Sequence, residues 1–172
     1  SDERLHARVD FRTLNWHARY WHNDADFYDL FGPTKRSRKG YAAKLGFTDW
    51  LIYDEPRRLD LIYDLAYYDK IDTLPNAQNV GTTFTRLLTG EVGLHYTDVR
   101  RSLGAVDDEK GAAWSLVVNA SQTQGAVTPQ IHGTLDVGFP LPIPHSSIWL
   151  RSSAGAANGD RNNTLANLYF GG

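Results

Sequence analysis

The stretch from Arg38 to Lys70, RKGYAAKLGFTDWLIYDEPRRLDLIYDLAYYDK, decides how the rest of the chain is read. It predicts two long strands joined by a tight turn at Asp54-Glu55-Pro56-Arg57. In the first strand Tyr41, Ala43, Leu45, Phe47, Leu51 and Tyr53 share one face, interrupted only by Asp49. In the second, Leu59, Leu61, Tyr63, Leu65 and Tyr67 share one face without interruption. The opposite faces carry Arg38, Lys44, Thr48, Arg58, Asp60, Asp64 and Lys70. Alternation with a period of two residues marks strands with one apolar and one polar side. The class of the protein then depends on which solvent each side meets.

Working outward, the same alternation recurs. Leu5, Ala7, Val9 and Phe11 share a face, and Leu14, Trp16, Ala18 and Tyr20 share the next, with a phase slip near Thr13. A β-bulge absorbs such a slip, so residues 4–21 are read as one bulged strand; no Gly, Pro or Asn-Gly marks a hairpin there. Residues 22–37 and 71–80 read as loops. Residues 81–96, 111–121, 130–139 and 147–156 read as strands, and a turn-rich stretch leads into another at 165–170. Residues 98–110 are polar and charged and suit a short helical turn. Pro140-Leu-Pro-Ile-Pro144 stops a strand, because proline cannot donate to a ladder. The expectation is about eight antiparallel strands in one domain over residues 1–172.

Composition bounds the reading further. A net charge of −2 gives no global pull toward nucleic acid, and the basic run Lys35 to Lys39 is read as a solvated loop rim. Cysteine is absent, which excludes a disulfide scaffold and thiolate-bound metal. Methionine is absent too, so the chain is read as a processed or excised piece, truncated at both ends. No apolar run reaches the roughly 18 residues of a membrane helix, a test that strands of a membrane barrel do not need to pass.

Three features favour a membrane-spanning β-barrel over a soluble sandwich. Several strands run to 12 residues or more, beyond the roughly 5–6 typical of globular strands. Aromatic residues crowd strand ends: Tyr20, Trp21, Tyr41, Trp50, Tyr53, Tyr67, Tyr68 and Tyr96, as in an interfacial girdle. The polar faces mix both charge signs, which a water-filled lumen tolerates and a dry core does not.

Specific words add to this pattern. DADFYDLFGPTKRSRKGY (24–41), DVRRSLGAVDDEKG (98–111), DVGFPLPIPHSSIWLRSSAG (136–155) and GDRNNTLANLYFGG (159–172) resemble the carboxy-terminal barrel of bacterial surface-antigen proteins. That superfamily comprises outer-membrane barrel-assembly and two-partner-secretion translocators. The resemblance implies a 16-stranded barrel in the bacterial outer membrane that inserts or translocates polypeptides. It implies as partners outer-membrane lipid, unfolded or secreted polypeptides, and periplasmic domains of the same chain. About eight strands is half such a barrel. The Arg-Gly-aromatic word of typical members and the terminal aromatic residue are absent, so the chain is read as part of a larger barrel.

Catalytic and metal chemistry were sought in the same residues. His17 and His22 lie near Asp24, Asp26 and Asp29 in sequence, but no HExxH-type spacing makes ligands converge, and they read as loop solvation. His132 and Asp136 share a polar strand face with Ser115 and Ser121 in reach of a Ser-His-Asp reading. No GxSxG elbow accompanies them, and serine-rich lumen lining explains them as well. Gly32, Gly40 and Gly46 lack phosphate-loop spacing. Asp49 is expected at an interface, a protein contact or a register change, and Glu91 in the lumen. No catalytic residue, cofactor or metal site is therefore assigned. The reading is a non-enzymatic barrel segment, with a passive pore or small-ligand barrel as one alternative and a barrel hydrolase as another.

Overall fold

The computed structural model describes residues 6–23, 27–28, 36–37, 39–75, 80–159 and 163–168. Strands β1 (His6–Arg12), β2 (Trp16–Asn23), β5 (Gly40–Asp54), β6 (Arg57–Asp69), β7 (Arg86–Arg100), β8 (Lys110–Gln122), β9 (Val127–Pro140) and β10 (Ser147–Ala157) form one eight-stranded antiparallel sheet. Each strand pairs with its neighbour in the chain, apart from the excursion between β2 and β5. That excursion carries a two-residue pair, β3 (Phe27–Tyr28) with β4 (Arg36–Ser37). The fold is all-β. The sheet is open, with β1 and β10 as its edges.

The expected bulged strand over residues 4–21 is a hairpin. Thr13 supplies the missing turn signal: its hydroxyl accepts from Trp16 N–H at 2.9 Å while its own N–H donates to Trp16 O at 2.8 Å. Asn15 ties the turn to the next strand, donating its amide to Thr48 O at 2.8 Å. A short side chain bonded to nearby backbone makes a turn without glycine. The bulge lies instead in β5, where pairing steps from Trp50 opposite Asp60 to Ile52 opposite Leu59 and leaves Leu51 extra. This shifts the phase, so Ile52 joins the apolar side and Tyr53 leaves it. Tyr53 then lies under Arg58, whose guanidinium carbon is 5.4 Å from its ring centroid, and packs edge-on to Trp50 at 5.6 Å.

The register gathers the apolar residues of all eight strands on one side. Across the middle run Trp16, Phe47, Tyr63, Val92, Val118 and Ile131, each directly opposite the next. Of the girdle aromatics expected from sequence, Tyr20, Tyr41, Tyr67 and Tyr96 stand on this side, while Trp21, Trp50, Tyr53 and Tyr68 stand on the other. Trp16, Tyr63 and Trp114 complete the apolar side instead.

Burial runs opposite to that of a soluble sheet. Leu65 is 54% exposed while its neighbour Ala66 is 4% exposed, and Val118 is 48% exposed beside Val117 at 4%. The buried side chains Ala42, Ala66, Leu87, Val117 and Thr128 all belong to the polar side. Two segments cover that side. The start of the β6–β7 connection, residues 71–75, turns back over it and buries Ile71 and Leu74. Residues 163–168, expected to begin a strand, form the 3₁₀ turn Thr164–Ala166. Asn163 donates to Thr128 Oγ1 at 3.0 Å, and Gln130 donates to Leu165 O at 2.5 Å.

The sheet is sheared. One row of directly opposed residues runs Arg12, His17, Gly46, Asp64, Glu91, Asn119, Gln130, Ala157. It enters at the last residue of β1 and leaves at the last residue of β10, which lies at the opposite end of the sheet because β10 runs antiparallel to β1. A drop of roughly ten residues at 3.3 Å each, across seven gaps of about 4.8 Å, is a strand tilt of roughly 45°.

The expected helical turn in 98–110 is absent. Asp98–Arg100 completes β7, and Lys110 begins β8. The intervening loop is clasped to the β9–β10 turn, as described below.

Candidate functional site

The diagonal row on the polar side is where the chemistry of this sheet concentrates. His17 Nε2 lies 2.8 Å from Asp64 Oδ1, and Lys44 Nζ lies 2.9 Å from Asp64 Oδ2. Gly46 stands between His17 and Asp64 in the ladder, and a Cβ there would come within 2.1 Å of both. A glycine in mid-strand therefore makes the contact geometrically available. Asp64 is largely withdrawn from water, with its side chain 15% exposed, and two cationic or hydrogen-bonding partners compensate that.

Farther along the row the compensation stops. Among the described residues Glu91 has no hydrogen-bond or ion-pair partner, and Asn119, directly opposite it, buries its Oδ1 without a donor. Both line a cavity of about 200 Å³ whose roof is Leu74 and Pro75 on one side and Thr164 to Asn167 on the other. This pocket is half-enclosed.

The residues singled out in sequence do not assemble into a catalytic or metal centre. His17 and His22 sit on β2, not in a loop, and face opposite sides; His22 stacks on Tyr41 with centroids 6.2 Å apart. Asp24, Asp26 and Asp29 lie outside the described residues. His132 and Asp136 share the polar side but are roughly 13 Å apart along β9, at about 3.3 Å per residue. Asp136 Oδ2 is 3.8 Å from Arg151 Nε, Ser115 Oγ bonds Thr134 Oγ1 at 2.7 Å, and Ser121 stands opposite Thr128. No nucleophile–base–acid chain connects them. Among the described residues no group of three potential ligands is placed to hold a metal ion. Asp49 stands on the apolar side opposite Leu61, two positions before the bulged Leu51, and Glu91 stands on the polar side as expected.

A second cluster lies at the opposite end of the sheet and gave no signal in sequence. Ser102 donates its hydroxyl to Glu109 Oε2 at 2.5 Å, and His145 Nδ1 lies 3.1 Å from Glu109 Oε1 and 3.3 Å from Ser102 Oγ. Both partners meet the same imidazole nitrogen, so the ring cannot take a proton from serine with one nitrogen while being oriented through the other. The arrangement is a clasp between two loops. The Ser102 hydroxyl, and after it His145, hold the Glu109 carboxyl below the ordinary glutamate range against the opposing effect of burial. Trp149 strengthens the clasp by donating its indole N–H to Asp108 O at 3.0 Å. Its ring fills the space over Gly138, where a Cβ would come within 2.4 Å of Trp149 Cζ2. Gly138 thus serves close packing.

Comparison of the chain with protein-family models, with curated proteins and with solved structures finds no match.

Proposed function

We propose that this sheet is a section of the wall of a bacterial outer-membrane β-barrel of the surface-antigen type, and that the barrel inserts or translocates polypeptides. The observation that carries the reading is the inverted burial: a continuous apolar face lies bare while part of the polar face is covered by its own chain. A bare apolar surface spanning eight strands far exceeds the few hundred Å² that water-soluble monomers expose. Lipid is the solvent that suits it, and the mixed-charge polar face suits a lumen. The strand tilt of roughly 45° falls at the upper end of the range of barrel walls.

Barrel size follows from the covering segments. An eight-stranded barrel has an interior just wide enough for its own side chains. Here the polar face also accommodates backbone, residues 71–75 and 163–168, which crowds an interior of that size. Additional strands, sixteen in the family that the sequence words resemble, would supply the space. The mixed-charge polar face supports a conduit, and the bare apolar face supports an anchor. The sequence words resembling surface-antigen proteins supply the polypeptide substrate class.

The test is a strain depleted of the parent protein. The account expects lower outer-membrane levels of other barrels or of secreted polypeptides, with the parent protein itself in the outer-membrane fraction and shifting in gel mobility on boiling. Recovery in the soluble fraction with no mobility change refutes the membrane reading. A second reading, the passive pore, is favoured by the mixed charges of the polar face. Conductance in planar bilayers without any effect of depletion on other proteins would select it.

A further inference from the structure

We propose that the cavity beneath Leu74, Pro75 and Leu165 binds a guanidinium group, with Glu91 and Asn119 as its acceptors. Glu91 and Asn119 are directly opposed on β7 and β8, so their side chains emerge from the same side of neighbouring strands. A directly opposed pair has Cβ atoms about 5 Å apart, a span that a planar fork of N–H donors bridges. Among the described residues neither has a donor. Glu91 forms no ion pair there, and the Asn119 carbonyl oxygen is buried and unsatisfied, an unfavourable state that an incoming donor relieves. Two of the donors lining the same cavity are engaged elsewhere. Lys44 is on Asp64 at 2.9 Å, and the Gln130 amide is on Leu165 O at 2.5 Å.

Charge selects the class of guest. In the cavity Lys44 and Asp64 neutralise each other, so Glu91 leaves one uncompensated negative charge. A cation is favoured and an anion opposed. The apolar roof of Leu74, Pro75 and Leu165 suits the methylene stem that carries a guanidinium, with the charged end toward the row. Guanidinium is also less strongly hydrated than ammonium, so entering a half-enclosed cavity costs it less. A volume of about 200 Å³ exceeds the few tens of Å³ that one water occupies and accommodates such a group. The polar face being a lumen wall is what would bring polypeptide arginines to this cavity, and to that extent the inference rests on the proposed function.

The test uses the whole parent protein folded in detergent micelles and isothermal titration with N-acetyl-arginine amide. Saturable binding is expected, with at least tenfold weakening in Glu91→Gln and severalfold strengthening in Asn119→Asp, which adds a carboxylate. The neutral citrulline analogue is expected not to bind. An unstructured peptide with a single arginine distinguishes the sources: binding at least as tight as that of the amide identifies polypeptide, and exclusion of the peptide identifies a small guanidinium ligand. Absence of saturable binding to the unaltered chain, or equal affinity in Glu91→Gln and Asn119→Asp, overturns the site. Mobility on unboiled gels is read in the same preparation. A folded barrel that does not bind refutes only the site, and binding by a protein that does not enter membranes refutes only the proposed function.

Discussion

His17 Nε2 meets Asp64 Oδ1 at 2.8 Å although a whole strand separates them, because Gly46 between them has no side chain. Substituting Gly46→Ala puts a methyl group in that gap, within 2.1 Å of both partners. Overpacking of this kind costs about 1–3 kcal/mol. Gly90, on the same sheet, has no atom nearer than 4.0 Å to an added Cβ. Urea titration of the folded protein should show a lower midpoint for Gly46→Ala and little change for Gly90→Ala. Equal midpoints would mean that the His17–Asp64 contact is not what Gly46 provides.

The two faces should respond differently to the same charge. Leu116 is on the apolar side and Thr134 on the polar side of the adjoining strand. An arginine facing lipid costs about 2–4 kcal/mol near the bilayer midplane and progressively less toward the interface. Leu116→Arg is therefore expected to destabilise the vesicle-folded protein by up to about that amount, and Thr134→Arg by less than about 1 kcal/mol. Unfolding free energies measured in vesicles decide it; a larger loss for Thr134→Arg would reverse the assignment of faces.

The loop clasp should open in acid. Glu109 has a depressed pKa in the folded chain, held there chiefly by the Ser102 hydroxyl. A depressed carboxylate contributes stability that is complete above its ordinary pKa and is lost as pH falls through the depressed value. Trp149 bonds the backbone of the adjacent Asp108 and reports on the clasp. Its fluorescence, taken as the difference from Trp149→Phe, is expected to hold steady at neutral pH and change on acidification below the normal glutamate range. In Glu109→Gln that transition should vanish. A transition that persists in this variant assigns it to another group.

Much of the sheet was legible because its signal is local. Alternation over Arg38–Lys70 located β5 and β6 and their two-residue turn, and proline at 140 marked the end of β9. The expected number of strands matches the observed eight only by compensation. Residues 4–21 proved to be two strands, because a Thr13 hydroxyl made the turn where glycine was sought. Residues 165–168, the described part of the strand expected over 165–170, did not form one, because 163–168 pack on the polar face as a 3₁₀ turn and cap. The bulge at Leu51 was hidden as well, since a single extra residue inside an apolar run, Trp50-Leu51-Ile52, leaves no gap in the pattern. The cavity was the least readable feature. Glu91 stood out, but its pairing with Asn119 and its place beside Asp64 depend on cross-strand register. The clasp of Ser102, Glu109 and His145 joins loops 36 residues or more apart in sequence, beyond the reach of any periodicity.

The central claim is that the apolar side meets lipid and the polar side meets water. Spin labels placed one at a time from Leu59 to Tyr67 along β6, with the protein reconstituted in vesicles, test it most directly. The account predicts that collision with oxygen, which concentrates in the bilayer, peaks at Leu61, Tyr63 and Leu65, while collision with a water-soluble nickel chelate peaks at Asp60, Ile62 and Asp64. Accessibility without a period of two, or with the two reagents in the same phase, would contradict it.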